Sequence, residues 1–454
     1  MSSTTPPVRR TRRWIEDWRP EDPEFWEQTG RKVARRNLIW SIFAEHVGFS
    51  VWLIWSVSSA FLLAQGFSFT PQQLFLLVAL PNLVGSLLRL PYAFAVPRFG
   101  GRSFTVASAA LLLVPTVTFA FAVQNPATPY WVFCAIAATA GVGGGNFASS
   151  MANINWFYPA DRKGAALGLN AAGGNLGVAL IQLLLPVVIG GAGIFGLVQA
   201  SVHGIHLQRA AWLYAGLALL ATAAAWLWMD NLGTAKASPR EQMKVVTTRE
   251  TWVMSLLYIG TFGSFIGYSA AMPLLIKLNF WVPEPAPLGT GIYFAYYAFL
   301  GAAVGSMTRP FGGWLADRLG GAKVTLGAFV AMIGFTVAVL VLAAANAEWF
   351  PLFLGFFLCI FAATGIGNGS TYKMIPAIWR VKAERATTPG TPERAAALAG
   401  ATQQASAALG VIGAVGAIGG VPAPLPVAAP RVAEAPAAPP GAVAGFAGCY
   451  MACA

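Results

Sequence analysis

Apolar stretches of the length a bilayer demands recur along nearly the whole chain, and this pattern constrains the fold more than any other feature. A transmembrane helix needs roughly 20 predominantly apolar residues. Twelve candidate segments can be marked, at 38–64, 74–97, 103–123, 131–152, 164–190, 211–229, 252–276, 289–316, 322–345, 350–377, 395–420 and 441–454. Only 10 % of the 454 residues are charged, against about 25 % in soluble proteins. That shortage excludes a nucleic-acid-binding domain, a disordered chain and an ordinary cytosolic enzyme. Residues 1–37 are charged and lack a cleavable apolar core, so no secretory signal peptide is expected. Cys134, Cys359, Cys449 and Cys453 lie in apolar surroundings without C-x-x-C spacing and are expected as small buried hydrophobes, not as a disulfide framework or metal site.

The formal charge of +12 is a topology signal, because alternate connections hold 23 of the 29 Lys and Arg. Nine lie in the amino-terminal tail; the rest are Arg98 and Arg102, Arg162 and Lys163, four in 230–250, Arg318 and Lys323, and four in 378–394. The intervening connections hold only Arg209, Lys277 and Arg431. Both termini are therefore expected in the cytoplasm, with an even number of spans, and no nucleic-acid partner.

The longest polar connection, 230–250, separates two sets of six segments, and an internal match supports the division. RLPYAFAVPRFGG (89–101) and RPFGGWLADRLGG (309–321) share two Arg nine residues apart with a Gly pair just beyond, at a shift of 220. GVGGGNFASSM (141–151) and GIGNGSTYKMI (365–375) correspond at a shift of 224. The predicted organisation is an all-α integral membrane protein: a tail (1–37), a six-helix half (38–229), a cytoplasmic linker (230–250) and a second half (251–454). Such repeats are the form of a transporter whose site lies between the halves near the bilayer midplane.

Arg89, Arg309 and Lys373 remain inside spans, with Glu45 and His46 near the cytoplasmic end of the first. A charge at a helix centre costs about 2.5–3.5 kcal/mol on insertion scales, so it faces a cavity or a partner. At 1.5 Å per residue, Arg89 lies roughly 5 Å and Arg309 roughly 9 Å from the middle of its span. Neither has an acidic residue in its own span. Two symmetry-related cations without counter-ions suggest that the substrate supplies the negative charge, and a guanidinium presents a planar fork suited to a planar oxyanion. The competing reading, snorkelling to the surface, is preferred for Lys373, a turn or so from the end of its span.

Glycines form a second pattern. GAALGLNAAGGNLGVA (164–179) contains Gly164, Gly168, Gly173, Gly174 and Gly177, and ALGVIGAVGAIGG (408–420) contains Gly410, Gly413, Gly416 and Gly419. Such stripes let another backbone approach closely, as a sliding surface between moving helices or as ordinary tight packing. Asn175 suits an anion or another helix equally. Trp212, Trp226, Trp228 and Trp349 are expected in the interfacial belts or facing lipid. Tyr258 and Phe262 share a helix face; from spacing alone these two and Phe147 read as packing residues.

Together these residues resemble the nitrate/nitrite porter family of the major facilitator superfamily, over about 34–420. GVGGGNFASSMANINWFYP (141–159) and GLNAAGGNLGVA (168–179) carry it most specifically, supported by RLPYAF, TRPFGGWLADRLGG, YIGTFGSFIGYS (258–269) and GIGNGSTYKMIP (365–376). The resemblance implies the twelve-helix major facilitator fold of two pseudo-symmetric halves. It implies a multi-pass transporter of nitrate and nitrite in a bacterial inner membrane, with no enzymatic activity and no cofactor. It also implies that Arg89 and Arg309 bind the anion, that Phe147 packs on it, and that Tyr258 and Phe262 are a tyrosine donor and its neighbouring aromatic. Asn175 matches the signature asparagine and Phe49 a further cavity aromatic.

The chain departs from the family at its end: 421–440 holds seven Pro and seven Ala, and the last apolar segment has 14 residues. Proline at that density breaks a spanning helix, so a truncated chain or a shifted reading frame is expected there; an unbroken frame on resequencing would remove that expectation. Repulsion between two cations disfavours closing an empty site, which favours nitrate/nitrite exchange. Glu45 and His46 keep proton symport open. An organic-anion or phosphate-ester antiporter is the other transporter reading, and a non-transporting nitrate sensor the reading from another class. The protein is expected to be monomeric, in contact with lipid.

Overall fold

The computed structural model describes residues 10–11, 13–191, 197, 204–234, 243–282, 290–343 and 347–421. Eleven long helical segments are numbered here in chain order: α1 Pro23–Gln65, α2 Pro71–Phe99, α3 Gly101–Ala122, α4 Tyr130–Phe157, α5 Ala160–Val188, α6 Leu207–Trp228, α7 Arg249–Phe280, α8 Ala298–Leu319, α9 Gly321–Ala343, α10 Phe350–Arg385 and α11 Pro392–Ile418. All but α8 are long and apolar enough to cross a membrane; α8 has 22 residues but carries Arg309, Asp317 and Arg318. The twelfth segment, 441–454, and the Pro/Ala-rich stretch from 422 lie outside the described residues, as do His203, Cys449, Cys453 and linker residues 235–242.

Several helices outrun their apolar segments, because hydropathy marks only the apolar part whereas local chemistry ends the helix. In α2, Pro71 at the first turn follows Thr70, whose side chain accepts from the Gln73 backbone N–H while the Thr70 backbone N–H donates to the Gln73 side-chain oxygen, a capping box. α2 ends at Gly100 (φ 83°) and α8 at Gly320 (φ 89°). That positive φ costs glycine little, which explains the repeated Gly pair.

The first span differs most from expectation. Helical structure begins at Pro23, with a π-helical turn at Trp26–Gly30, so the tail predicted for 1–37 is partly helix. Strand β1 (Arg10–Thr11) pairs antiparallel with β2 (Trp14–Ile15), and β2 pairs parallel with β3 (Asn231–Leu232) of the linker region. Arg36 forms an ion pair with buried Asp230, whose backbone N–H donates to the Asn37 side chain at 2.8 Å. The basic tail is thereby fastened to the linker.

The most apolar windows of α1 and α7 are 89 % and 94 % buried, whereas those of α3, α6 and α9 are only 39–44 % buried. The latter are outer helices. Trp212, Trp226, Trp228 and Trp349 are exposed, although Trp228 also stacks on Trp40. Cys134 and Cys359 are half-buried, not fully buried as expected. Inside, α2 packs on α4, α8 on α10, α5 on α8, and α11 on both α2 and α10.

Candidate functional site

The two span arginines converge at the centre of this inner set. Arg89 is wholly buried and Arg309 is 1 % exposed. Their guanidinium carbons stand 4.6 Å and 5.5 Å from the centroid of the same ring, Phe147. Arg89 donates from Nε to the Gly144 carbonyl (3.0 Å) and from Nη1 to the Gly413 carbonyl (2.8 Å); its buried Nη2 has no partner. Arg309 donates from Nη2 to the Tyr258 hydroxyl (3.2 Å), and its buried Nη1 has no partner. Neither arginine forms an ion pair among the described residues. Buried donors are nearly always hydrogen-bonded, so one orphan N–H on each guanidinium marks a place made for an acceptor.

Aromatic rings enclose the pair. Phe262 lies 4.7 Å from the Arg89 guanidinium and Phe49 lies 6.0 Å from it. Phe147 stacks on both Phe49 (5.9 Å) and Phe262 (5.8 Å), and Tyr258 stacks on Phe262 at 5.0 Å with planes 5° apart. Such faces hold a cation by its attraction to the ring quadrupole. They also exclude water, which strengthens any charge interaction between them. Ile259–Gly263 forms a π-helical turn in α7, between Tyr258 and the following helix. Single π turns recur at functional sites.

Phe49, Arg89, Phe147, Tyr258, Phe262 and Arg309 are thus brought together. Asn175 is not joined to them by a hydrogen bond: it is buried on α5, and both atoms of its amide lack a partner. The glycine stripes divide. On α11, a Cβ at Gly416 would strike the Tyr258 ring, and one at Gly410 would strike the Ala93 side chain, while one at Gly413 would make ordinary contact with Phe147 at 3.7 Å. On α5, Gly173, Gly174 and Gly177 abut α1, Gly164 only touches Lys373, and Gly168 faces open space. Lys373 pairs with Asp317, near the end of α8, and also donates to the Gly313 carbonyl at 3.4 Å, so it has a protein partner, while its own helix runs on to Arg385.

Three residues were missed as part of this site. Tyr372 lies 5.4 Å from the Arg309 guanidinium and 5.1 Å from Tyr258. The internal repeat aligns Phe147 with Thr371, one position away, and only the packing of α10 selects the neighbour. Trp52 stands 5.3 Å from the Arg89 guanidinium and donates to the Pro81 carbonyl at 2.7 Å. Glu45, expected near the end of its span, lies 14 residues inside the regular helix that starts at Arg31 and is 1 % exposed. The charged residues before it are helical too, which moves it inward.

A cavity of about 1010 Å³ leads from the end that carries the basic connections, where exposed Glu21 lines it, past Lys163 and Lys373 to Tyr372 and Arg309. At the opposite end, described residues of the two halves meet. Gln182 on α5 donates to the Ser269 carbonyl on α7 at 2.6 Å, Lys277 on α7 donates to the Ala60 carbonyl on α1, and the Phe61 and Phe294 rings meet at 5.1 Å.

A helical bundle whose cavity leads from one side to Arg309, with a second buried arginine across the same Phe147 ring, defines a membrane transporter for a small anion. The Major Facilitator Superfamily profile matches residues 46–424. The nitrate/nitrite transporter NarU of Salmonella typhimurium is 44 % identical over 372 residues, 81 % of this chain and 79 % of that protein. NarU of Escherichia coli is 42 % identical over 378 residues, covering 82 % and 80 %. The probable nitrate/nitrite antiporter NarK2 of Thermus thermophilus is 38 % identical over 380 residues, covering 81 % and 83 %. The chain belongs to the nitrate/nitrite porter family of the Major Facilitator Superfamily.

Proposed function

We propose that this chain carries nitrate and nitrite across a bacterial inner membrane by alternating access, exchanging one for the other, as a monomer with both ends of the chain in the cytoplasm. One observation carries the reading: two buried guanidiniums over the Phe147 ring, each with an unpartnered N–H. A planar monoanion held between them accepts from both forks, and its charge replaces cation–cation repulsion with two attractions. Arg89 belongs to the first half of the repeat and Arg309 to the second, so the bound anion draws the halves together. The described conformation corresponds to the cytoplasm-facing limb, given the basic residues at the open end. The glycines at 410, 413, 416 and 419 suit a surface on which α11 slides past α2 and α7.

Exchange follows from the same electrostatics, since closing without an anion leaves two cations in a medium of low dielectric. Purified protein in liposomes tests this. Labelled nitrate is expected to enter vesicles loaded with nitrite and not empty ones. Entry at equal rates into both would sink the exchange reading, and entry of bulky organic anions instead would sink the substrate assignment.

A further inference from the structure

Glu45 on α1 is enclosed by groups that hydrogen-bond without neutralising it. Its Oε2 accepts from Ser150 Oγ on α4 (2.5 Å) and from Asn170 Nδ2 on α5 (2.8 Å), while Oε1, also buried, has no partner. Asn170 Nδ2 reaches Ser150 Oγ as well (2.5 Å), and Ser41 Oγ closes the cluster at 2.9 Å from Ser150 Oγ. A Cβ on Gly174 would run into Oε1, so the α5 backbone lies directly against the carboxyl group. Among the described residues Glu45 forms no ion pair. A buried, unpaired carboxylate is far costlier than the neutral acid, so a proton or nearby cations must settle its state.

The nearby cations are those of the anion site. Phe49, one turn along α1 from Glu45, lies 6.0 Å from the Arg89 guanidinium, and Phe147, one turn before Ser150 on α4, faces both arginines. Arg89 on α2 and Arg309 on α8 thus both act electrostatically on Glu45, with the Tyr258 and Tyr372 phenols beside Arg309. His46, next on the same helix, is engaged through Nδ1 with the Gly173 carbonyl at 3.0 Å. Of the outer helices that touch α1, α6 offers buried Tyr214, and α3 offers Arg102, which is held by the Trp226 carbonyl.

We propose that Glu45 is a proton-binding site linked to the anion site between Arg89 and Arg309. Ionised, Glu45 is a fixed negative charge acting on both arginines and competes with an incoming monoanion. Protonated, it leaves both positive charges to the anion. Each ligand therefore favours the other, and linkage makes the effect reciprocal: the proton tightens anion binding by the factor by which the anion tightens proton binding. The proposal rests on reading the arginines as an anion site and adds to exchange a carrier whose anion affinity falls as pH rises.

The test measures nitrate binding to the full chain in lipid nanodiscs from about pH 5 to about pH 9, for the wild type, Glu45→Gln and Glu45→Asp. Wild-type affinity is expected to weaken with rising pH by a factor within the usual range of coupled sites, about 5- to 150-fold. Glu45→Gln is expected to hold the acid-side affinity throughout, and Glu45→Asp to keep a pH dependence. A flat wild-type profile, or the same slope in Glu45→Gln, overturns the linkage while leaving the anion site standing. No nitrate binding in any of the three at any pH overturns the anion-site reading and the linkage with it. Should Glu45→Gln fail to fold, wild-type protein in weak buffer decides alone: adding nitrate is expected to draw up to about one proton from solution, and no uptake at any pH overturns the proposal.

Discussion

Arg89 reaches across 324 positions of sequence to donate from Nη1 to the carbonyl of Gly413, at 2.8 Å. The bond ties a cation of the first half to the glycine stripe of the second. It also sets the guanidinium so that Nη2 is left without a partner. The orientation of the free Arg89 Nη2, the face proposed to meet the anion, is therefore set partly by a backbone group of α11.

Replacing either arginine by lysine keeps the charge and loses the planar fork. A hydrogen bond to a charged group contributes about 1.5–3 kcal/mol, and about 1.4 kcal/mol is tenfold in affinity. Arg89→Lys and Arg309→Lys are each expected to weaken nitrate binding by about tenfold or more, read by titration of purified protein. An unchanged affinity in both would remove the arginines from the site.

Phe147→Ala takes away the ring that both guanidiniums face. Each cation–ring contact is worth about 0.5–2 kcal/mol, and the space left admits water. Nitrate affinity is expected to drop by about tenfold, with Phe147→Tyr far milder. Equal losses in the two variants would show that packing volume, not the aromatic face, is what matters.

The two glycine stripes are expected to respond differently. Gly416→Ala puts a methyl group into the Tyr258 ring, and overpacking of this kind costs about 1–3 kcal/mol. Transport should fall markedly, because the tyrosine that receives the Arg309 bond must move. Gly168→Ala, at the cavity wall where an added methyl group meets nothing within 4 Å, should leave liposome uptake within about twofold of wild type, since a substitution without a clash or a lost contact is usually within about 0.5 kcal/mol.

Asp230→Ala removes the acceptor shared by Arg36 and Asn37. Asn37 Nδ2 keeps its bond to the Val33 carbonyl at 2.9 Å, so the cost is the loss of the half-exposed Arg36 pair and of one buried hydrogen bond, about 1–3 kcal/mol in all. The melting temperature is expected to fall while nitrate affinity, read on the folded fraction, stays at the wild-type value. Lost affinity with an unchanged melting temperature would mean that the tail and linker act on the site and not on stability.

Much of this architecture was legible without coordinates, because hydropathy and repetition are local properties. Apolar length marked the helices, and the repeated Arg and Gly pairs marked α2 and α8. Arg89 and Arg309 stood out because a charge in a span needs a reason. Their enclosure by Phe49, Phe147, Tyr258 and Phe262 was suggested by family likeness; spacing alone gave those residues only as packing. Tyr372 went unmarked because the repeat aligns its neighbour with Phe147. Glu45 was placed too near a helix end because the polar residues before it do not look like a span.

Composition and periodicity, then, determined that this chain is a helical membrane protein of repeated halves carrying two unpaired cations. Those properties follow from what each short segment needs in order to leave water. Only the tertiary structure decided which groups surround the cations: Tyr372, Trp52, the Gly413 carbonyl and the Glu45 carboxyl. They come from three helices, α1, α10 and α11, that pack around the two carrying the arginines, and their meeting depends on how those helices pack, which no single segment encodes.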